Sequence, residues 1–499
     1  MPNPRCLAIV ATTVLASVRP STAFVSSLAS AASSMTTRAK TRLSAAKRGG
    51  GDQSLTMGSR PLGADERVVI VGGGIVGAST AYHLALRGVK PVVIERSKVA
   101  AAASGKAGGF LAGGWGSGPT VPMHEISFDM HEKLAETLEV TSYRKIPTLQ
   151  VNGGRSGSSP AAWLDGKASG SMMDSDTAQV TPLELTTKLM DAAKAKGAEL
   201  RIAAVSGVTS SPVEGGSDGD GERQITAVVL EDGEEVPCDR VIVAMGPWSC
   251  LAADWFDIPV PMQGIKSTSI VFKGSQQVAE DPYALFCAED RNGCHLEVYP
   301  RPNGEMYLCG LGGSDYVDPP RLKAGGDCDK PEVIKPDPAR VTAATNSFKG
   351  MTSIGNEAPS VTQACMRPCP PDGLPIMGEV PGIRGAYISA GHNCWGILWG
   401  PVTGLLMSEL LVDGKASTVD IEPFSPSRFM TRASSRGRRK GSGRGRFCAL
   451  QKRILFFGQS SKTPKIVIFI ALQTLCYVQR PTKRPARHTE GDEHLIGSL

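Results

Sequence analysis

From Arg67 onward the apolar and polar positions fall into a regular order. Arg67-Val-Val-Ile-Val71 is a short β-branched run, which predicts a buried parallel strand. Gly72-Gly-Gly74-Ile-Val-Gly77 follows directly, then Ala78 to Arg87 with apolar residues on a helical period, stopped by Gly88. A second β-branched run, Pro91-Val-Val-Ile-Glu95, ends in an acid 23 residues past Gly72. Further along, Thr181-Pro182-Leu-Glu184 reads as a capping box with Pro at the first helical position, leading a helix to Lys196 that Gly197 ends. Glu199 to Val205 predicts a strand returning to the first sheet, and Val402 to Val412 an apolar helix after Gly400-Pro401. Residues 258–355, with alternating runs such as His295-Leu-Glu-Val-Tyr299 and Met306-Tyr-Leu-Cys309, predict an antiparallel sheet. Gly153–Ser171 and Glu214–Arg223 are expected as hydrophilic surface loops.

Composition narrows the class. The 499 residues are 41% apolar and 20% charged, which excludes a disordered, collagenous or coiled-coil chain. No run of about 18 apolar residues appears, so no transmembrane segment is expected. The net charge of +6 hides a division: residues 1–51 carry seven Lys/Arg and no acid, residues 432–499 carry fifteen against three, and the body between holds 32 bases against 45 acids. An acidic body is a poor fit for nucleic acid, so no such partner is expected for it. The twelve cysteines include no CxxC pair. Cys365 with Cys369, and Cys287 with Cys294, lack the partners of a tetrahedral site, so reduced, mostly buried thiols and no metal are expected.

The ends are different material. A basic start, an apolar run from Cys6 to Val18 and then small residues describe a secretory-type leader; Val25 to Lys47, rich in Ser, Ala, Thr and Arg, has transit-peptide composition. The two in series, with Phe24 after Ala23, resemble the bipartite leader of algae with complex plastids. Plastid (chloroplast) import is the expectation, with a mitochondrial presequence or plain secretory signal as alternatives. The Arg/Gly/Ser-rich tail from Arg432, with a 13-residue apolar stretch from Ile466 to Val478, reads as disordered by composition. It is either an RNA- or membrane-touching tail or an extension without function.

Strand, glycine turn, helix, strand, acid is the order that a dinucleotide site demands. Gly72 permits the turn, Gly74 lets a pyrophosphate approach the backbone and Gly77 allows close helix-to-strand packing. The helix start at Ile75 and Val76 turns its positive end toward the diphosphate, and Glu95 can accept from ribose hydroxyls. The next loop, Ala100-Ala-Ala-Ala-Ser104-Gly105-Lys-Ala-Gly108-Gly109-Phe-Leu-Ala-Gly-Gly114, is small enough for backbone to lie against a large flat ring, which favours FAD over NAD.

With these segments, the chain resembles the D-amino-acid oxidase (DAO) superfamily of FAD-dependent oxidoreductases, in particular its glycine and sarcosine oxidase-like members. The resemblance covers about Arg67 to Phe424. Ser104-Gly105 to Gly109 matches the loop that touches the flavin, and Val241-Ile-Val-Ala244-Met-Gly246-Pro-Trp248-Ser the strand and turn re-entering near FAD. Ala364-Cys-Met-Arg367-Pro-Cys-Pro-Pro-Asp372-Gly373-Leu-Pro375-Ile-Met-Gly378 matches the C-terminal signature, and Ala390-Gly391-His392-Asn-Cys-Trp-Gly396-Ile-Leu-Trp-Gly400-Pro-Val-Thr-Gly404 the closing one. The resemblance implies an α/β fold: a Rossmann-type FAD-binding domain (66–119, 178–257 and 359–425) interleaved with a mostly antiparallel β-sheet substrate domain of α+β type (120–177 and 258–358). It also implies a Val205 backbone group beside the adenine.

The implied activity is oxidation of a small amine or amino acid, of glycine, sarcosine or D-amino-acid type, to the imine by hydride transfer to flavin N5. Electrons then pass to oxygen or an acceptor protein. The alternative is a flavoprotein of assembly or trafficking with no dedicated substrate. Amides of Gly396, Ile397 and Leu398 are expected at the flavin edge that gains negative charge. Relatives that oxidise amino acids place an Arg at the position of Arg367, which therefore reads as a carboxylate grip or else as a structural ion pair. Tyr299 and Arg301 are candidates for a second polar contact, the alternative being core or edge positions. Cys365 reads as an inert thiol, with a covalent flavin bond as its alternative, since sarcosine-oxidase relatives carry such a cysteine there. His392 reads as an acid-base group or as a positioning residue of the flavin loop.

Overall fold

The computed structural model describes residues 59–213 and 222–430. The leader, nearly all of the 214–223 insertion and the 432–499 tail with its apolar stretch lie outside the described residues. Five longer helices organise the rest: α1 (Ile75–Leu86), α2 (Val121–Thr137), α3 (Pro182–Ala195), α4 (Pro338–Met351) and α5 (Gly396–Asp413).

The β-branched strand Val68–Val71 lies inside a six-stranded sheet. Its order is Ile376–Glu379, Ala386–Ala390, Arg240–Val243, Val68–Val71, Val92–Glu95, Glu199–Ile202. All neighbours are parallel except the first pair. Both faces are covered, which is why the strand reads as an unbroken apolar run. Val68 and Ile70 join the core holding α1 and α5, whereas Val69 and Val71 join a second core with Ile242's neighbours Val241 and Val243. Arg240, buried at the sheet's start, is paired with Glu66 at 3.1 Å.

An eight-stranded sheet stands beside it, ordered Asp315–Val317, Gln263–Phe272, Met306–Cys309, Glu297–Pro300, Ala284–Cys287, Thr148–Gly153, Ala168–Asp174, with Val361–Cys369 paired along Gln263–Phe272. It is antiparallel except where Ala284–Cys287 meets Thr148–Gly153. One face buries Leu285, Val298, Met306 and Leu308 against Phe348 and Met351 of α4. The other carries Tyr299, Tyr307 and Phe286, packed with Phe110 and Trp115. The expected α/β class with an interleaved, mostly antiparallel sheet is what the chain forms.

Several boundaries differ from expectation. Val361–Cys369 belongs to the large sheet, so the chain crosses back after Cys369 rather than at 359. The sheet region expected over 258–355 also contains α4. Residues 153–171 are no plain surface loop: Ala161, Trp163 and Leu164 are buried in the α4 core, and the Trp163 indole donates to Asp281 O at 3.0 Å. At α3 the capping box is not made. Thr181 is the N-cap without a side-chain bond, and the Glu184 carboxylate instead accepts from the Thr141 N–H (2.9 Å) and the Ser142 N–H (3.0 Å), tying down a neighbouring turn. The strand from Glu199 stops at Ile202, and Val205 opens a separate strand, Val205–Pro212, against Arg223–Leu230.

Helix α5 starts at Gly396 and runs through Pro401, six residues before the sequence placed it. Proline has no N–H, so the Ile397 carbonyl loses its helical donor. Helix α2 repairs this: His131 Nε2 lies 3.0 Å from Ile397 O and 3.2 Å from Leu398 O, and the Val402 N–H donates to Ser127 Oγ at 3.3 Å. Polar residues on a buried helix face are thereby explained. The 21-residue segment Asn393–Asp413 is apolar and long enough to cross a membrane by length and composition, yet most of it is buried between α1, α2 and the sheet.

Burial lowers His131 to about 4, which keeps it neutral as a donor to those carbonyls. An unfolded histidine takes up a proton below about 6.5. Between that value and about 4 the unfolded chain holds more protons than the folded one, so stability falls as pH drops through this window. His131→Gln keeps an N–H donor but cannot titrate. It is expected to flatten the pH slope of unfolding free energy by up to about 1.4 kcal/mol per pH unit, read by denaturant titration at several pH values.

Candidate active site

The glycine turn is shaped by backbone contacts that leave no room for side chains. Gly72 has φ +111°, and a Cβ there would lie 2.5 Å from Ala244 O; one on Gly77 would lie 1.9 Å from Gly72 O. These approaches bring the N-terminus of α1, with Ile75 and Val76, against the ends of the central strands. The Ile75 N–H donates to Ser104 Oγ (2.9 Å), so the next loop is pinned to the helix start. Only Ser104 Oγ and Cβ lie within 4 Å of a Cβ placed on Gly74, leaving the rest of that approach clear. Glu95 sits at the end of its strand as expected. Its two carboxylate oxygens accept from the Gly73 N–H (2.7 Å) and the Ser97 N–H (3.0 Å). Each oxygen keeps a lone pair for a further donor such as a hydroxyl.

The small-residue loop is packed by its glycines. A Cβ on Gly105 would lie 2.1 Å from Ala100 O, one on Gly109 1.8 Å from Val180 O, and one on Gly108 2.3 Å from Tyr299 Cδ2. Lys106 Nζ donates to Ala364 O at 3.2 Å and Gln363 Nε2 to Lys106 O at 3.0 Å, so the loop is laced to the strand that carries Arg367. Gly246 (φ +57°) opens the turn Gly246–Leu251, where the Trp248 indole donates to Cys328 O at 3.0 Å. Gly391 (φ +86°) and Asn393 (φ +47°) turn the chain into α5, whose first amides are those of Gly396, Ile397 and Leu398.

The inward face of the large sheet gathers charged, phenolic and thiol side chains. Strand alternation puts Cys365, Arg367 and Cys369 on one face, and Glu297 with Tyr299, and Tyr307 with Cys309, on the same side. Tyr299 stacks between Phe110 (5.2 Å) and Tyr307 (6.2 Å), and Phe286 and Trp115 extend the aromatic wall. Its hydroxyl donates to Glu297 Oε2 at 2.5 Å. Burial first, and then the Glu297 carboxyl, push that phenol well above its ordinary value, so it stays protonated. Among the described residues the Arg367 guanidinium makes one hydrogen bond, a long one of 3.4 Å from Nη1 to Asn393 Oδ1. Burial pulls its guanidinium down, but Cys394, Glu297 and Cys309 nearby hold it above the usual range. Arg301, by contrast, is occupied by Glu305 at 3.1 Å.

His392 is buried, its Nε2 3.0 Å from Thr403 Oγ1, and burial lowers it to about 3, so it is neutral and turned toward α5. Burial raises the Cys365 thiol. Val205 is half-buried where its own strand begins. Among the described residues no His, Cys, Asp and Glu gather as a metal site, and the nine described cysteines are free. Sequence reasoning missed Glu297, Asn393 and the aromatic wall of Phe110, Trp115 and Phe286. The period-2 alternation that singled out Tyr299 also placed Glu297 beside it and was the available signal.

Residues 67–410 match the family DAO, FAD dependent oxidoreductase. An oxidoreductase of Schizosaccharomyces pombe is 27% identical over 399 residues, covering 72% of this chain and 97% of that protein. Glycine oxidase of Geobacillus kaustophilus is 26% identical over 401 residues, covering 73% and 97%. Among solved structures, L-amino acid deaminase from Proteus myxofaciens in complex with anthranilate superposes with TM-score 0.59 at 19% identity, covering 75% and 96%. The G. kaustophilus glycine oxidase structure superposes with TM-score 0.57 at 22% identity, covering 73% and 99%.

The turn with no room for Cβ atoms at Gly72 and Gly77, the Glu95 carboxylate and the helix start at Ile75 fit the diphosphate and ribose of FAD. Gly74→Val is expected to yield protein without flavin, because its side chain fills the approach to the helix amides; the ratio of flavin to protein absorbance after purification checks this. By the match over most of its length, this chain belongs to the DAO family of FAD-dependent oxidoreductases.

Proposed function

We propose that this chain oxidises a small amine or amino acid at the carbon next to nitrogen, giving an imine that water hydrolyses. Bound FAD supplies the two-electron acceptor for such a C–H bond. The chain's own residues bind and orient. Arg367 grips a carboxylate with paired N–H donors, the rings of Phe110, Trp115, Phe286 and Tyr299 wall the pocket and exclude water, and the first amides of α5 face the flavin edge that becomes negative. Relatives named for glycine oxidation and amino acid deamination support this substrate class.

The observation that carries the reading is Arg367 itself, a largely buried guanidinium with one long hydrogen bond and no carboxylate pairing it among the described residues. Its remaining N–H donors have no side-chain acceptor among the described residues. A substrate carboxylate would fill them with a paired hydrogen bond. The reading extends to oxygen or an acceptor protein as the electron sink and to plastid delivery by residues 1–51, for which a leader–reporter fusion is the test.

The purified flavoprotein is mixed under nitrogen with glycine, sarcosine, proline and D-amino acids while the flavin absorption is followed. Bleaching by one of them is expected. No bleaching across the panel overturns the reading and leaves a flavoprotein without a dedicated amine substrate. Arg367→Ala is expected to raise KM or slow flavin reduction by at least about tenfold, from roughly 1.5–3 kcal/mol for a charged hydrogen bond; unchanged reduction kinetics remove Arg367 from the site.

A further inference from the structure

Glu297 is the one acidic side chain on the inward face of the strand that also carries Tyr299. Two donors converge on a single oxygen: the Tyr299 hydroxyl at 2.5 Å and the Cys309 thiol at 3.4 Å both reach Oε2. Among the described residues nothing donates to Oε1. The position is built rather than incidental, since Glu297 pairs with Cys309 across the ladder and Tyr299 with Tyr307 in the next step. Arg367 lies close enough for the Glu297 carboxyl to influence it, yet no ion pair joins the two. Each is held from the side, Glu297 by Tyr299 and Cys309, Arg367 by Asn393. A guanidinium and a carboxyl on the same face of the sheet, each bonded to its own neighbours and not to the other, complement a molecule that carries both charges.

We propose that Glu297 is the amino-group pole of the substrate site, so that the site selects the zwitterion of an amino acid, its carboxylate on Arg367 and its ammonium on Glu297 Oε1. This rests on the substrate class proposed above and narrows it: simple amines lack the group that Arg367 grips, and simple carboxylates are repelled by Glu297.

The test uses a ligand pair that the enzyme cannot oxidise. 2-Aminoisobutyrate has no hydrogen on its α-carbon, and 2-hydroxyisobutyrate replaces its ammonium with a neutral hydroxyl of similar size. Binding of each to the FAD-loaded protein is read from the perturbation of the flavin absorption spectrum. The wild-type protein is expected to bind 2-aminoisobutyrate at least about tenfold more tightly than the hydroxy acid. Glu297→Gln, of nearly the same shape, is expected to weaken the amino acid at least about tenfold while leaving the hydroxy acid unchanged or tighter, because the repulsion is gone. A purely structural Glu297 predicts instead that both ligands weaken together, and that outcome overturns the proposal. So does a wild-type protein that prefers the hydroxy acid, a comparison that needs no variant. Because binding is read without turnover, a protein that binds the zwitterion selectively but is bleached by no amino acid refutes the function proposed above and leaves this assignment standing.

Discussion

The constraint on which the cofactor end depends is backbone against backbone. The Gly77 α-carbon sits so near the Gly72 carbonyl that a single methyl group would lie 1.9 Å from that oxygen. This contact lets α1 begin at the tip of the central strand instead of a turn away. The same demand recurs where α5 crosses α1, since a Cβ on Gly404 would lie 2.4 Å from the Ser79 carbonyl carbon. Two helices and the sheet are locked at one corner, and the helix amides, the Glu95 carboxylate and the Ser104 loop are all placed from there. A helix N-terminus is an anion site only if the anion can reach it. Here the missing side chains provide that access.

The large sheet solves a different problem. Its outer face is an ordinary apolar surface on α4, while its inner face holds charges and phenols that the fold does not neutralise among themselves. Buried charges normally come paired. Arg367 and Glu297 are instead bonded to their own neighbours, Asn393 for the one and Tyr299 with Cys309 for the other. Such local conflict marks a place where the sequence serves chemistry rather than folding.

Much of the cofactor end was legible because its physics is local. The strand Val68–Val71, the turn to Gly77 and the acid at 95 lie within 28 residues, and their spacing alone dictates their geometry. The helix break at Pro401 was misread because the rule against internal proline is also local, whereas the repair comes from His131 and Ser127, some 270 residues earlier in the chain. Glu184 looked like a capping residue by spacing but was claimed by the Thr141–Ser142 turn. Trp163 sits in a hydrophilic stretch whose composition concealed its burial. On the site's inner face, Arg367 was visible through a motif, while Glu297 needed knowledge of which strand face turned inward.

The interlock of Gly108 with Tyr299 carries one more consequence. The ring fills the space where a side chain on the loop would stand, so the aromatic wall and the glycine loop are two sides of a single packed layer. Enlarging the pocket at Tyr299 would loosen the grip on the prosthetic group, and bulk added on the loop would collapse the pocket.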